Sequence, residues 1–370
     1  MTRVLHVLEA LEGGTARHVG DLVRWVDGVE HHVAIPDRRV GGVTDRGFGP
    51  AAAGAGAVVH RLEMRRAPAH PVNGAALVHL RRLVRRLRPD VVHGHSAVGG
   101  ALARLATWDL GGARVYTPNG LMPTSVVAGV ERRLGRRTDR IIAVSASEAR
   151  FVAVRGIPRR GALVTIANGI DPNSVGPAAV DLRELAGASP DQPLIGMVGR
   201  LVPQKAPVDF VAAAAALAAL RPDARFVLVG SGRLRRRVEA AVERSGLADR
   251  LTVVPAVERV ASALGQLDQC WSTSRWEGGP YVPLEAMRAG TPVVLTEAVG
   301  NRDVVEHGVS GLLVPVGRPE AMAEAGALLL ADDALRRRLV EAGRTRVAQR
   351  FDVRAMARST GRVYSELAGG

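Results

Sequence analysis

Two cations and two carboxylates have types and spacings that could do chemistry. In GRLVPQK (199–205), Arg200 lies five residues before Lys205, and Lys205 is the sole lysine beside 49 arginines. Arginine offers a flat fork of donors, whereas lysine offers a compact charge with three rotatable ones. A pocket shaped for an ammonium between phosphate oxygens would reject the bulkier guanidinium, so this pair suits a diphosphate. The competing explanation is a lysine left by chance on a solvated face. In SRWEGGPYVPLEAMRAGTPVV (274–294), Glu277 lies eight residues before Glu285, with Gly278, Gly279, Pro280 and Tyr281 between them. Glycines let backbone approach a ligand, and a helix start offers N–H groups to an anion. Glu285, further into that helix, can accept hydrogen bonds from hydroxyls. The set makes a cradle for a sugar nucleotide, against the plainer alternative of a surface helix with solvated glutamates.

Weaker signals lie elsewhere. Gly13 and Gly14 in EALEGGTARH sit between a strand-like run and a helical pattern, where a tight turn is the alternative. His95 and Ser96 follow the run DVVHGH and could line an acceptor side; His93, one step into the run, fits a hydrogen-bonded core histidine better. Cys270, the single cysteine, lies in the apolar run QLDQCWS and is expected in the core.

These residues must be positioned by the elements around them. Seven strand-like runs start the chain, from VLHVLE (4–9) to ALVTIA (162–167), and six follow, from LIGMVGR (194–200) to SGLLVP (310–315). Helical patterns lie between most of them, which predicts an α/β protein with two doubly wound parallel sheets. Such sheets bind ligands beyond the carboxyl ends of their strands, where all the candidate residues lie. The expected organisation is a first domain over 1–170, a linker over 171–192 rich in Gly, Pro, Asn and Asp, and a second domain over 193–351. A final helix, 352–370, is expected to rejoin the first domain.

Composition sets limits on function. The chain has 370 residues and a formal net charge of +14, which favours anionic partners. One cysteine excludes an intramolecular disulfide, and MTRVLHVLEAL is too short and too soon charged for a signal peptide. The expected location is the cytoplasm. Aromatics are 3%, so the cores must be built from Ala, Val and Leu, and base stacking on single-stranded nucleic acid finds little support. Nucleic acid is therefore not an expected partner. In HLRRLVRRLRPD (79–90) and the residues before it, Leu77, Leu80, Leu83, Val84 and Leu87 form one apolar face among arginines. That helix over 77–88 either packs on its own sheet or touches an anionic membrane at its inner face.

The combination of Gly13-Gly14, Arg200, Lys205 and Glu277-x7-Glu285, followed by EAMRAGTPVV, resembles the retaining GT-B glycosyltransferases of family 4 (GT4). DVVHGHSAVGGALARLA, RVYTPNG, RIIAVSASE and VTIANGID are similar to that family's first domain, so the likeness covers nearly the whole chain. The resemblance implies two Rossmann-like domains facing a cleft that closes on the donor. It implies that Arg200 and Lys205 bind the donor diphosphate and that Glu285 takes the ribose hydroxyls. Glu277 and the backbone of Gly278, Gly279, Pro280 and Tyr281 would hold the sugar, and the Gly13-Gly14 loop would close over the phosphates. Family members commonly carry His before Gly where this chain has Asn119. An imidazole base is therefore absent there, although Asn119 can still hydrogen-bond the sugar. In a retaining front-face transfer the leaving phosphate oxygen can take the acceptor proton, and the protein's main task is to stabilise the departing charge.

No Asp-x-Asp occurs and no metal-ligand spacing is visible along the chain, so no cofactor and no divalent metal are expected. The implied partners are a nucleotide-sugar donor, UDP-linked first, and an acceptor that is a glycan, a lipid-linked sugar or a small aglycone. A non-hydrolysing sugar-nucleotide epimerase shares the architecture but would use no acceptor. A glycosidase would want the paired carboxylates without the cationic diphosphate site.

Overall fold

The computed structural model describes residues 1–38, 47–121, 124–171, 178, 180–257 and 260–369. The chain forms two compact units, Met1–Gly169 with Val353–Gly370, and Ile170–Asp352.

The first unit holds strands β1 (Thr2–Val7), β2 (Val29–Ile35), β3 (Val58–Arg61), β4 (Val91–His95), β5 (Ala113–Thr117), β6 (Arg140–Ala143) and β7 (Leu163–Thr165). They form one parallel sheet in the order β3-β2-β1-β4-β5-β6-β7. The winding reverses between β1 and β4, so the carboxyl ends of these strands flank the topological switch point. Val4, Leu5, Val91 and Val92 are all buried, because helices cover both faces of the sheet.

Glycines seat the helix Ala97–Ala106 tightly on this sheet. A Cβ at Gly94 would fall 2.6 Å from Gly100 Cα, one at Gly100 2.3 Å from the Tyr116 ring, and one at Gly99 2.6 Å from the Val7 carbonyl oxygen. The start of that helix therefore lies against the end of β1. The last helix, Val353–Ala368, packs Met356, Ala357 and Tyr364 with Val4, Leu22 and Val91 of the first unit. The basic helix Val72–Leu87 buries Ala76, Leu80 and Val84 in the core, with Leu77, Leu83 and Leu87 packed beside them. Its apolar face thus covers its own sheet, and Arg82, Arg85 and Arg86 face outward.

The second unit holds β8 (Leu194–Val198), β9 (Arg225–Val229), β10 (Leu251–Val254), β11 (Gln269–Ser272), β12 (Val293–Thr296) and β13 (Leu312–Val314). The parallel order is β10-β9-β8-β11-β12-β13, with the switch point between β8 and β11. Its core is built from Ala, Val, Leu and Met around Phe210 and Trp271. Gly326 lets the helix Pro319–Ala331 lie on Trp271, since a Cβ there would fall 2.3 Å from the indole.

The stretch expected as a linker needs correction. Leu182–Leu185 is a short helix whose N-cap, Asp181, accepts from the N–H groups of Arg183 and Glu184. Arg183 in turn donates to Gln266 O and Asp268 Oδ2, both at 3.2 Å, and Leu182 is buried. Residues 181–192 are therefore built into the second unit, while 172–177 and 179 lie outside the described residues. An Asp cap before a Leu at a helix start was the sequence signal for this.

Candidate functional site

In the second unit, the loops after β8 and β11 meet at the switch point. Lys205 Nζ lies 2.5 Å from Glu277 Oε1, and Ser274 Oγ donates to the same oxygen at 2.6 Å. The two side chains of the ion pair are 19% and 7% exposed, so their charges interact more strongly than a surface pair. The Lys205 stem crosses Gly199, where a Cβ would lie 3.7 Å from Cγ and Cδ. Gln204 ties the loops together. Arg200 Nη2 donates to Gln204 Oε1 at 3.2 Å, and Gln204 Nε2 donates to the Trp276 carbonyl at 3.0 Å. The Gln204 carbonyl accepts from Arg275 N at 2.8 Å. Thr273 Oγ1 lies 3.0 Å from the carbonyls of both Lys205 and Ala206. Ala206 is left-handed, φ 46° and ψ 53°, and Pro207 then opens the helix Pro207–Leu220. The fold thus brings Lys205 and Glu277 into contact across 72 residues, with Arg200 on the same loop.

Glu277 is supported from behind. Its N–H donates to Val299 O at 2.9 Å. Gly300 has φ 87°, and a Cβ there would fall 2.6 Å from Gly278 O and 2.9 Å from Glu277 Cβ, so only glycine fits that turn. Thr296 Oγ1 donates to Ser274 O at 2.5 Å, and buried Asn301 donates to Thr296 O at 2.9 Å. Gly278 and Gly279 lead into Pro280, which caps the helix Tyr281–Ala289, and Gly290 closes that helix with φ 86°. Glu285 lies inside this helix and is 8% exposed. Burial, aided by the Glu285 charge, pushes the Cys270 thiol up to about 12, which leaves Cys270 an inert core residue. Gln204, Ser274 and Gly300 escaped the sequence analysis. The Ser-x-x-Glu spacing of Ser274 and Glu277 was the one local hint.

In the first unit, Gly13 opens the helix Gly13–Trp25 with φ 76°, and Gly13 and Gly14 are exposed. Ser96 follows β4 with φ 57° and ψ −171°, a strained conformation for a residue with a Cβ. Two bonds hold it: Ser96 N–H to Thr117 O at 3.0 Å, and Ser96 Oγ to Glu9 Oε1 at 2.5 Å. Glu9 Oε2 also accepts from Gly99 N at 2.9 Å, so a buried carboxylate past the end of β1 caps the Ala97–Ala106 helix. Asn119 has φ 54°, and its neighbour Gly120 donates its N–H to Glu148 Oε1 at 2.7 Å. Glu148 Oε2 accepts from Val144 N at 2.9 Å, so Glu148 fixes the turn that presents Asn119. Ser145-x-x-Glu148 carried a capping-box signature that could have identified it.

His95 needs correction. It is fully buried rather than exposed at the strand end. It ends a chain of imidazoles whose tautomers follow from one carbonyl. His31 Nε2–H donates to Val26 O at 3.3 Å, which leaves His31 Nδ1 to accept from His6 Nε2–H at 3.1 Å. His6 Nδ1 then accepts from His95 Nε2–H at 3.1 Å, and His95 Nδ1 is left as a buried lone pair with no partner among the described residues. His93 is the satisfied core histidine expected, bonded to Tyr364 Oη at 2.6 Å and Thr117 Oγ1 at 2.8 Å. Burial and, after it, neighbouring histidines push His6, His93 and His95 well below the usual imidazole range; burial takes His18 down to about 4. The fold brings ring nitrogens of His6, His93 and His95 within 4.8 Å of one another, a metal-type spacing invisible along the chain. Both nitrogens of His6 and of His93 are already hydrogen-bonded within the protein.

Residues 12–174 match the model of glycosyltransferase family 4, and residues 181–346 that of the group 1 glycosyl transferases. The chain is similar to the 2-deoxystreptamine N-acetyl-D-glucosaminyltransferase of Streptomyces fradiae, 32% identical over 70% of this chain and 67% of that one. It is also similar to the lipopolysaccharide core biosynthesis mannosyltransferase LpsB of Rhizobium meliloti, 30% identical over 65% of this chain and 69% of that one. Among solved structures, Anabaena HepE, crystallised with UDP and glucose, superposes with a TM-score of 0.85 at 20% identity, covering 99% of this chain and 100% of that one. That likeness is one of fold, the GT-B architecture of two parallel-sheet Rossmann-like units.

Proposed function

The chain belongs to the group 1, family 4 glycosyltransferases, and we propose that it moves a sugar, with retention, from a UDP-sugar to an acceptor hydroxyl in lipid-linked or surface-glycan assembly. The observation that carries this reading is the shielded Lys205–Glu277 pair at a switch point, with Arg200 on the same loop. When a donor binds, its diphosphate competes with Glu277 for the Lys205 ammonium, and Arg200 adds a second cation. Glu277 is then released toward the sugar hydroxyls, and Glu285 takes the ribose hydroxyls. The bond from the anomeric carbon to the phosphate oxygen breaks as the acceptor oxygen bonds on the same face. The acceptor proton passes to the departing phosphate oxygen. Arg200 and Lys205 stabilise the charge that grows there, which is where an enzyme gains most.

The name of LpsB favours a glycan or lipid-linked acceptor. The name of the Streptomyces relative favours a second reading, a small specialised metabolite as acceptor. Among the described residues no helix is long and apolar enough to cross a membrane, and the proposed location is the cytoplasm or the inner membrane face. The test is thermal shift with UDP, GDP, ADP and phosphate, on the natural protein and Lys205→Ala. Stabilisation by one nucleoside diphosphate, lost in the variant, supports the reading and names the donor base; no response from any of them defeats it. Proton NMR of the product then reads the anomeric configuration.

A further inference from the structure

Glu277 is held by one oxygen and open at the other. Lys205 Nζ and Ser274 Oγ both donate to Oε1, at 2.5 and 2.6 Å, while Oε2 takes no hydrogen bond among the described residues. Ser274 is fully buried, and the direction of its bonds follows from the carboxylate. A carboxylate oxygen can only accept, so the single Ser274 hydroxyl proton goes to Glu277. Ser272 Oγ lies 3.1 Å from Ser274 Oγ and is therefore the donor of that bond. The chain runs from Ser272 to Ser274 to Glu277, each bond polarising the next. Thr273, between the two serines, is turned to the other loop, with its hydroxyl 3.0 Å from the carbonyl oxygens of Lys205 and Ala206. The Ser274 backbone is fixed as well. Its carbonyl accepts from Thr296 Oγ1 at 2.5 Å, and Asn301, fully buried, donates to Thr296 O at 2.9 Å.

Lys205 alone satisfies Glu277 Oε1 while the ion pair is intact. The second donor matters when the lysine leaves. On the functional reading above, a donor diphosphate draws Lys205 away from Glu277. A carboxylate whose side chain is only 7% exposed would then lose its partner, and an unpaired buried charge is costly. Glu277 would either turn out of place or keep the lysine and oppose binding. Ser274 keeps one bond to Oε1 through that exchange, so Oε2 stays where it was and can accept a sugar hydroxyl. We propose that Ser274, oriented by Ser272, is the positioning residue of this site and holds Glu277 while Lys205 changes partner. The inference rests on that functional reading and separates two parts of it. Arg200 and Lys205 take the diphosphate, whereas the grip on the sugar depends on Ser274.

The test is isothermal titration with UDP and GDP, and with UDP-glucose, UDP-galactose, UDP-N-acetylglucosamine and GDP-mannose. The sugar nucleotide that the natural protein binds most tightly is compared with its own diphosphate. Ser274→Ala should raise the Kd of the sugar nucleotide about tenfold, the worth of one hydrogen bond to a charged group, and leave that of the diphosphate within about twofold. Ser272→Ala leaves both Ser274 and Glu277 in place and should show the same selectivity at about threefold. It also keeps the proposal open to refutation if Ser274→Ala does not fold. In a Glu277→Ala background, Ser274→Ala should change neither Kd further, because a residue that acts through Glu277 has nothing left to act on. Equal loss for the sugar nucleotide and its diphosphate overturns the proposal. So does an unchanged Kd for both ligands in the serine variants, or a further loss in the Glu277→Ala background. Any of these with the diphosphate still bound leaves the functional reading standing. No binding of any nucleotide defeats that reading, and this inference with it.

Discussion

Lys205 Nζ and Glu277 Oε1 are 2.5 Å apart, and the lysine stem reaches that position across Gly199. The space at the tip is shared with Ser274 Oγ, 2.6 Å from the same carboxylate oxygen. A guanidinium is wider and needs a planar fork of partners, so this geometry explains a single lysine in a chain otherwise committed to arginine. Lys205→Arg should therefore fail almost as badly as Lys205→Ala, with kcat/KM down about 100-fold or more in both. Steady-state kinetics on the two variants decides it. An arginine variant within a few-fold of the natural enzyme would make the lysine dispensable.

Gln204 should act through its neighbours. It accepts from Arg200 at 3.2 Å and donates to the Trp276 carbonyl at 3.0 Å, so it sets one cation and the entry to the Glu277 loop. Gln204→Ala should raise the donor KM about tenfold while kcat falls less, since the charges remain and only their placement loosens. Gln204→Glu keeps the acceptor for Arg200 but turns a carboxylate toward the Trp276 carbonyl, so it should not restore the donor KM. An alanine variant with unchanged KM and normal thermal stability would remove this role.

Much of the architecture was legible because buried parallel strands are apolar runs and each precedes a helix. Arg200, Lys205 and Glu277, which the fold gathers in one pair of loops, stood out along the chain because a lone lysine, a strand end and paired glycines are local signals. What stayed hidden depends on contacts between distant segments. Glu9 caps a helix 90 residues on through Gly99. His6, His31 and His95 form one hydrogen-bonded chain from three strands. His95 was misplaced for a related reason: a strand-end position does not reveal whether neighbouring strands also bring histidines. The 181–192 part of the expected linker was misjudged because Gly and Pro suggest a linker more loudly than one Asp cap suggests a helix.

On the proposed reading, Arg200 and Lys205 would supply the positive charge that a divalent ion gives other phosphate-transferring sites. Transfer should therefore run at an unchanged rate after dialysis against EDTA. Loss of activity that Mg²⁺ restores would show that these two cations are insufficient.

The histidine array predicts a pH dependence of stability with a definite sign. Burial holds His18 down to about 4 in the folded unit, against 6.5 when free, and His6, His93 and His95 are also pushed well below 6.5. The unfolded chain therefore binds more protons than the folded one as pH falls below about 6.5, and stability rises with pH through that window. The stabilisation is complete above 6.5 and is lost progressively toward pH 4; for His18 alone it amounts to about 3 kcal/mol at most. Tm should stay level from pH 8 to 7 and then fall steeply. His18→Gln removes one titrating ring and should make the fall shallower, at the cost of a lower Tm at pH 7. A Tm that holds constant down to pH 5 would mean that these rings are protonated in the folded protein. The tautomer chain from Val26 to His95 could not then exist, because protonated His31 and His6 would have no lone pair left to accept with.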